Sequence, residues 1–123
     1  MSDRVSPMVL CRLDEIPEGG GRGFTLGRGS ERTLIAVFRQ GARVHGYVNS
    51  CPHVGTPLDL IPDRFMTFDK RHILCATHGA RFRVYDGYCF AGPCQGARLE
   101  AVPVRIANGM VILGGSVAVA ARI

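Results

Sequence analysis

The sequence predicts a largely antiparallel β fold assembled from hairpins, and three observations predict it. Short runs rich in β-branched and aromatic residues recur along the chain, TLIAVF at 33–38 and RVHGYV at 43–48 being the clearest. Asp86-Gly87 and Asn108-Gly109 are pairs suited to hairpin turns. No segment carries an apolar stripe at helical spacing for more than two turns.

Taken in order, residues 1–6 read as a loose terminus, and Met8 to Leu13 reads as an edge strand. Pro17 and the glycines of residues 19–23 break order, after which Phe24 to Leu26 forms a short strand. Thr33 to Phe38 has the composition of a buried strand. Arg43 to Val48 alternates, with Val44, Gly46 and Val48 on one face and Arg43, His45 and Tyr47 on the other, so a half-exposed strand is predicted. Asn49 to Leu60 is a loop stiffened by two prolines. Residues 61–71 form a hairpin-like excursion, with Phe65 to Phe68 as a short apolar strand. His72 to Leu74, and Arg81 onward to the Asp86-Gly87 turn, return the chain to a sheet. AGPCQG at 91–96 is a tight turn. Leu99 to Ile106 is strand-like, with Pro103 implying an edge or irregular position, and Met110 to Leu113 follows the Asn108-Gly109 turn. The closing GGSVAVAARI fits either a further strand or a tail.

The chain's 123 residues match one ordinary domain, here 1–123. No run of about 18 apolar residues is present to span a bilayer, so no membrane association is predicted. The start, MSDRVSPMVLC, lacks the basic region and apolar core of a secretory signal, which predicts a cytoplasmic location. The net charge is +5, from 15 basic and 10 acidic residues, and the arginines are scattered. Without a dense basic run, no nucleic-acid partner is predicted; the charge fits an evenly solvated surface or an acidic protein partner. Arg81 and Arg83, just after the Cys75-x-x-His78 pattern, would give the surface near it a positive potential. Five cysteines are too few and too unevenly placed for a disulfide-stapled scaffold. Cys11 reads as a small core residue. Cys89 and Cys94 are near enough in sequence to bridge, but a reducing compartment argues against it.

The chemistry concentrates in two short patterns. Cys51-x-His53 and Cys75-x-x-His78 offer two thiolates and two imidazoles, a donor set suited to zinc or to iron held with inorganic sulfide. Neutral imidazoles donate less negative charge than thiolates, so an iron-sulfur cluster with two of each sits at a higher potential than one with four thiolates.

CPH at 51–53 and CATHG at 75–79 resemble the two cluster-binding loops of Rieske [2Fe-2S] proteins. The likeness runs from about Met8 to Leu113 and includes Gly79, Phe82 and the Gly92-Pro93 turn, which looks like that family's proline loop. The resemblance implies an all-β, antiparallel β-sandwich-like fold with a cluster-binding subdomain formed by two loops, spanning about residues 50–95. It also implies one [2Fe-2S] cluster, with Cys51 and Cys75 on the buried iron and His53 and His78 on the outer one. Twenty-one residues, 54 to 74, separate His53 from Cys75, more than the usual spacing, so the excursion at 61–71 looks like an insertion. Thr56 and Thr77 stand where high-potential members carry a further cysteine pair, Ala80 where they have a serine, and Phe82 where they have a tyrosine. Fewer hydrogen bonds to the cluster imply a low potential. Cys94 is expected near the cluster as a small loop residue.

The resemblance implies a single-electron carrier, a ferredoxin passing electrons from a flavin-dependent reductase to an oxygenase-type terminal enzyme. No catalytic residues are predicted. His45 and His72, the remaining histidines, read as ordinary strand residues rather than ligands of a mononuclear iron, and no G-x-G-x-x-G fingerprint precedes a helix. Two alternatives remain: a redox-sensing or interaction protein with the same cluster, and a structural zinc domain.

Overall fold

The computed structural model describes residues 8–114 except 28, 53, 54 and 60. The expectations for residues 1–6 and for the segment after Gly114 therefore lie outside the described residues, as does His53. In chain order the strands are β1 (Met8–Arg12), β2 (Gly21–Leu26), β3 (Thr33–Gln40), β4 (Arg43–Val48), β5 (His72–Leu74), β6 (Arg81–Arg83), β7 (Cys89–Ala91), β8 (Ala101–Val102), β9 (Val104–Ala107) and β10 (Met110–Leu113). Single 3-10 turns occupy Leu13–Glu15 and Gly29–Glu31.

These strands form three sheets, with orders β2-β3-β4-β8, β1-β10-β9 and β5-β6-β7, and every pairing is antiparallel. The strand expected over Leu99 to Ile106 is divided at Pro103. Proline has no N–H to give a ladder, so Ala101–Val102 pairs with β4 in one sheet while Val104–Ala107 pairs with β10 in another. Gly46 lies under this crossover: a Cβ there would stand 2.9 Å from the Val102 carbonyl oxygen and 3.0 Å from a Val104 methyl. Asn108 and Gly109 both have positive φ, 52° and 74°, and connect the paired residues Ala107 and Met110. That is the geometry of a two-residue hairpin turn with the primed hand.

Strand β3 is covered on both faces, which accounts for its unbroken apolar run. On one side Ile35 and Val37 pack with Val102, Val111, Leu113 and Ile16, between the two larger sheets. On the other, Ala36 and Phe38 join Tyr47, Phe65, Ile73, Ala80, Phe82 and Cys89 beneath the third sheet. Phe38 meets Phe65 edge to face at 5.3 Å between centroids. A fully buried phenylalanine contributes about 1.5–3 kcal/mol.

Three expectations need correction. The glycines of residues 19–23 do not all break order, since β2 starts at Gly21 and Gly21 and Gly23 pair with Phe38 and Ala36 of β3. The polar-looking face of β4 is closed to solvent at one end: Arg43 is exposed and His45 half-buried, but Tyr47 is 3% exposed and its hydroxyl donates to the Val84 carbonyl at 2.6 Å. The connection between β6 and β7 covers that face at Tyr47. Residues Phe65 to Phe68 do not form a strand; one bridge, Met66 to Ile73, is present, and Phe68 is fully exposed. The excursion is still closed like a hairpin, by Thr67 N–H to His72 O (2.9 Å) and Leu74 N–H to Phe65 O (2.7 Å).

Candidate metal centre

Strand β4 ends at Val48, and Asn49 fixes the loop beyond it. This buried side chain accepts from Leu58 N–H (2.7 Å) and donates to Asp59 Oδ1 (2.9 Å), while its own N–H donates to Leu34 O (2.8 Å). The segment between Asn49 and Leu58 is thereby anchored at both ends to the sheet.

Inside it, Cys51 N–H donates to Thr56 O at 2.8 Å and Gly55 N–H donates to Cys51 O at 2.7 Å. The second segment repeats the pattern, with Cys75 N–H to Ala80 O at 2.8 Å and Gly79 N–H to Cys75 O at 2.9 Å. In each loop a cysteine opens the turn, a glycine follows four residues on at φ 79° or 77°, and the next residue closes it. Nothing lies within 4 Å of a Cβ built on Gly79, so its backbone angle, not crowding, requires glycine. The two loops are joined where Ala76 N–H donates to Leu58 O at 3.0 Å.

Cys51 and Cys75 are each 1% exposed and belong to one buried cluster with Leu58, Ala80, Phe82 and Cys89, whereas His78 is exposed. The second loop thus turns its thiol inward and its imidazole outward. Among the described residues the structure brings Cys51 and Cys75 together in one buried cluster, places His78 exposed on the loop that Cys75 opens, and gathers no group of three or more potential metal ligands.

The Gly92-Pro93 turn lies directly on the second loop. A Cβ at Gly92 would stand 2.7 Å from Ala80 Cα, and φ there is 99°. Beside it the Cys94 thiol donates to Cys89 Sγ at 3.2 Å, and Cys89 donates to Ala91 O at 3.2 Å. No disulfide joins Cys89 and Cys94. Burial, followed by the neighbouring sulfurs of Cys89 and Cys51, pushes the Cys94 thiol up to about 12, so it stays protonated at neutral pH. Cys94 therefore packs beside Cys51 of the first loop. Among the described residues the buried Thr56 Oγ1 has no hydrogen-bond partner.

The turn between β6 and β7 is longer than the two residues that Asp86-Gly87 suggested. Gly87 N–H donates back to Arg83 O at 2.8 Å, and Gly87 packs where a Cβ would come within 2.9 Å of the Tyr47 ring. Asp86 takes both Nε (3.0 Å) and Nη2 of Arg83, the N–H of Tyr88 (3.0 Å), and a looser contact from Arg98. The Arg83 hydrogen bonds above all hold the Asp86 carboxyl down at about 2. Arg83 is also flanked by the Tyr85 and Tyr88 rings, 5.1 and 4.6 Å from their centroids.

Sequence reasoning missed Asn49, Asp59 and the equivalence of Gly55 with Gly79. The equivalence was visible as Cys-x-x-x-Gly in both loops, but histidine sits at different offsets and drew the comparison elsewhere.

The profile of the Rieske [2Fe-2S] domain matches residues 6–108. The chain belongs to the Rieske [2Fe-2S] domain family. Members of this Rieske family bind a [2Fe-2S] cluster of that type, the cofactor expected from the sequence. Among solved structures, the ferredoxin of carbazole 1,9a-dioxygenase from Nocardioides aromaticivorans IC177 is 23% identical, with a TM-score of 0.68 over 89% of this chain and 98% of its own. A complex of reduced oxygenase and oxidized ferredoxin in carbazole 1,9a-dioxygenase gives 24% identity and a TM-score of 0.70, over 90% and 94% of the two chains. In a reduced complex of the same two components, a chain matches at 24% identity and a TM-score of 0.69; 89% of this chain covers 28% of it. At these identities the likeness is one of fold. No curated protein sequence matches the chain. No helix among the described residues is long and apolar enough to cross a membrane.

Proposed function

We propose that Cys51 and Cys75 hold one iron of the cluster and His53 and His78 the other, and that the chain is a single-electron carrier of the ferredoxin kind, without catalytic residues of its own. One observation carries the reading: two loops of matched backbone bury both cysteines while the second presents His78 at the surface. The donor set fits the group, since two thiolates and imidazole are the ligands a Rieske centre requires. When bound, the cluster supplies a one-electron couple. The chain's own residues exclude water from the sulfur side through Leu58, Phe82 and the Gly92-Pro93 turn, and expose the histidine side, where a partner can approach. The few hydrogen-bond donors facing the sulfurs, with Ala80 and Phe82 in place of hydroxyl residues, favour a low potential.

The carrier takes electrons from a flavin-dependent reductase and delivers them to a terminal oxygenase or related acceptor in the cytoplasm. The fold likeness to a ferredoxin-sized chain in a complex of oxygenase and ferredoxin supports an oxygenase as the partner. The test is iron and acid-labile sulfide analysis with visible absorption spectra of the wild type and of Cys51→Ser, Cys75→Ser and Cys94→Ser. The wild type and Cys94→Ser are expected to hold equal iron and sulfide, and the first two variants to lose both. Stoichiometric zinc and a colourless wild type would sink the reading.

A further inference from the structure

Resting on the carrier reading, we propose that the 61–71 excursion, with Arg81, is a docking surface for the electron acceptor, and that the acceptor meets it with an acidic face surrounding an apolar socket. Phe68 is 104% exposed, more so than Met8, Val9, Ile61 or Tyr85. It stands between two grooves. One, of about 380 Å³, is lined by Arg64, Met66, Phe68 and Lys70 among others; the second, of about 220 Å³, by Phe68, His72 and Arg81. Arg81 is three residues beyond His78, so the second groove reaches the loop proposed to carry the outward ligand.

Exposed cations outside any ion pair also stand at Arg32, Arg43 and Arg105, but among the described residues only this surface sets such cations beside an exposed phenylalanine. Elsewhere Arg12 pairs with Asp14, Arg22 with Glu15, Arg39 with Glu18, and Arg83 and Arg98 with Asp86. Arg64, Lys70, Arg71 and Arg81 are all exposed, and among the described residues none is in an ion pair. The two acids of residues 61–81 are engaged by the fold. Asp63 accepts from Gly23 N–H at 2.8 Å, and Asp69 accepts from the Thr67 hydroxyl and from Arg71 N–H at 3.1 Å. Four cations against two anions leave +2 on residues 61–81.

The excursion is also held in shape. Met66 bridges Ile73, Asp63 ties it to β2, and Phe65 is buried against Phe38, so Phe68 projects from an ordered base. An exposed aromatic ringed by unpaired cations is the combination enriched in protein contacts, where the aromatic supplies area and the charges steer encounter. A protein acceptor is favoured over an anionic membrane because the surface adjoins the loop of His78, where an electron would leave.

The experiment uses the cluster-loaded chain and a gold electrode coated with mixed carboxylate- and methyl-terminated thiols, a probe of the proposed partner chemistry. Interfacial electron-transfer rates are compared for the wild type, Phe68→Ser, the triple variant Arg64→Gln/Lys70→Gln/Arg71→Gln, and a control triple variant Arg32→Gln/Arg43→Gln/Arg105→Gln that removes the same charge elsewhere. The first triple variant is expected to slow at least tenfold and Phe68→Ser severalfold, with the control within twofold and all spectra unchanged. Equal slowing in both triple variants, or none in either, overturns the docking surface while leaving the carrier reading intact. Absence of a reversible one-electron wave on any coating overturns both. Phe68-dependent binding of the wild type to phosphatidylserine vesicles overturns the protein partner in favour of a membrane.

Discussion

Alanine at Gly92 and at Gly96 separates two reasons for glycine near the centre. Their φ values are nearly the same, 99° and 97°. A side chain at either position therefore carries backbone strain of about 1–3 kcal/mol. Space differs: nothing lies within 4 Å of a Cβ at Gly96, whereas one at Gly92 would sit 2.7 Å from Ala80 Cα, 3.2 Å from its nitrogen and 3.3 Å from its Cβ. The first of these distances is inside any real contact, and the neighbour is backbone, which cannot swing aside. Relieving it adds about 1–3 kcal/mol, the usual range for overpacking a well-filled site. Ala80 O is the acceptor for Cys75 N–H, so the displacement falls on the second ligand loop. Urea titrations of the cluster-loaded proteins, followed by far-ultraviolet circular dichroism and by visible absorption, measure the difference. Gly92→Ala is expected to unfold at lower urea than Gly96→Ala and to bleach before its β signal is lost. Coincident midpoints for the two variants would refute the packing of the Gly92-Pro93 turn on the loop.

Further predictions concern the supports of the centre. Tyr47→Phe strands the buried Val84 carbonyl, which costs about 1–3 kcal/mol; chemical denaturation that left the stability of this variant unchanged would remove the link between β4 and the third sheet. Asp86→Asn has a pH signature. Because the folded carboxyl is lowered from 3.8 to about 2, the stabilisation is fully present above pH 3.8 and is lost as pH falls through about 2. The difference in urea midpoint between wild type and Asp86→Asn should be constant from pH 7 to 5 and shrink in more acid solution, whereas a gap that widened would contradict the sign. Cys94→Ser should keep the visible spectrum, since the thiol packs beside the site but is not a proposed ligand; loss of the cluster would make it one.

Much of the scaffold was legible because its signals are local. Strands β4, β5 and β10 begin and end where composition and turns placed them, and the Asn108-Gly109 hairpin follows from the φ that those residues tolerate. The features that escaped depend on partners distant in sequence. Alternation in RVHGYV correctly separated two faces but could not show that Tyr47 would be covered by residues 84 and 87. In FMTF, two phenylalanines look alike in sequence, yet Phe65 is 1% exposed and Phe68 is fully exposed, because only the first has Phe38 to pack on. Pro103 announced an irregularity without saying that the chain would change sheets there. At the centre, the ligand spacing was plain from the two motifs, but Asn49 carries no pattern of its own. Its importance comes from three hydrogen bonds, to Leu34, Leu58 and Asp59, which exist only once the loop has closed.

The central claim is that one iron is held by the cysteine pair and the other by His53 and His78. Electron spin-echo modulation on the dithionite-reduced protein tests it most directly, because the unpaired electron couples to any directly bound imidazole nitrogen. One spin per chain coupled to two nitrogens is expected, with one coupling removed in His78→Cys. A cluster spectrum without nitrogen coupling, or one whose couplings survive that substitution, would contradict it.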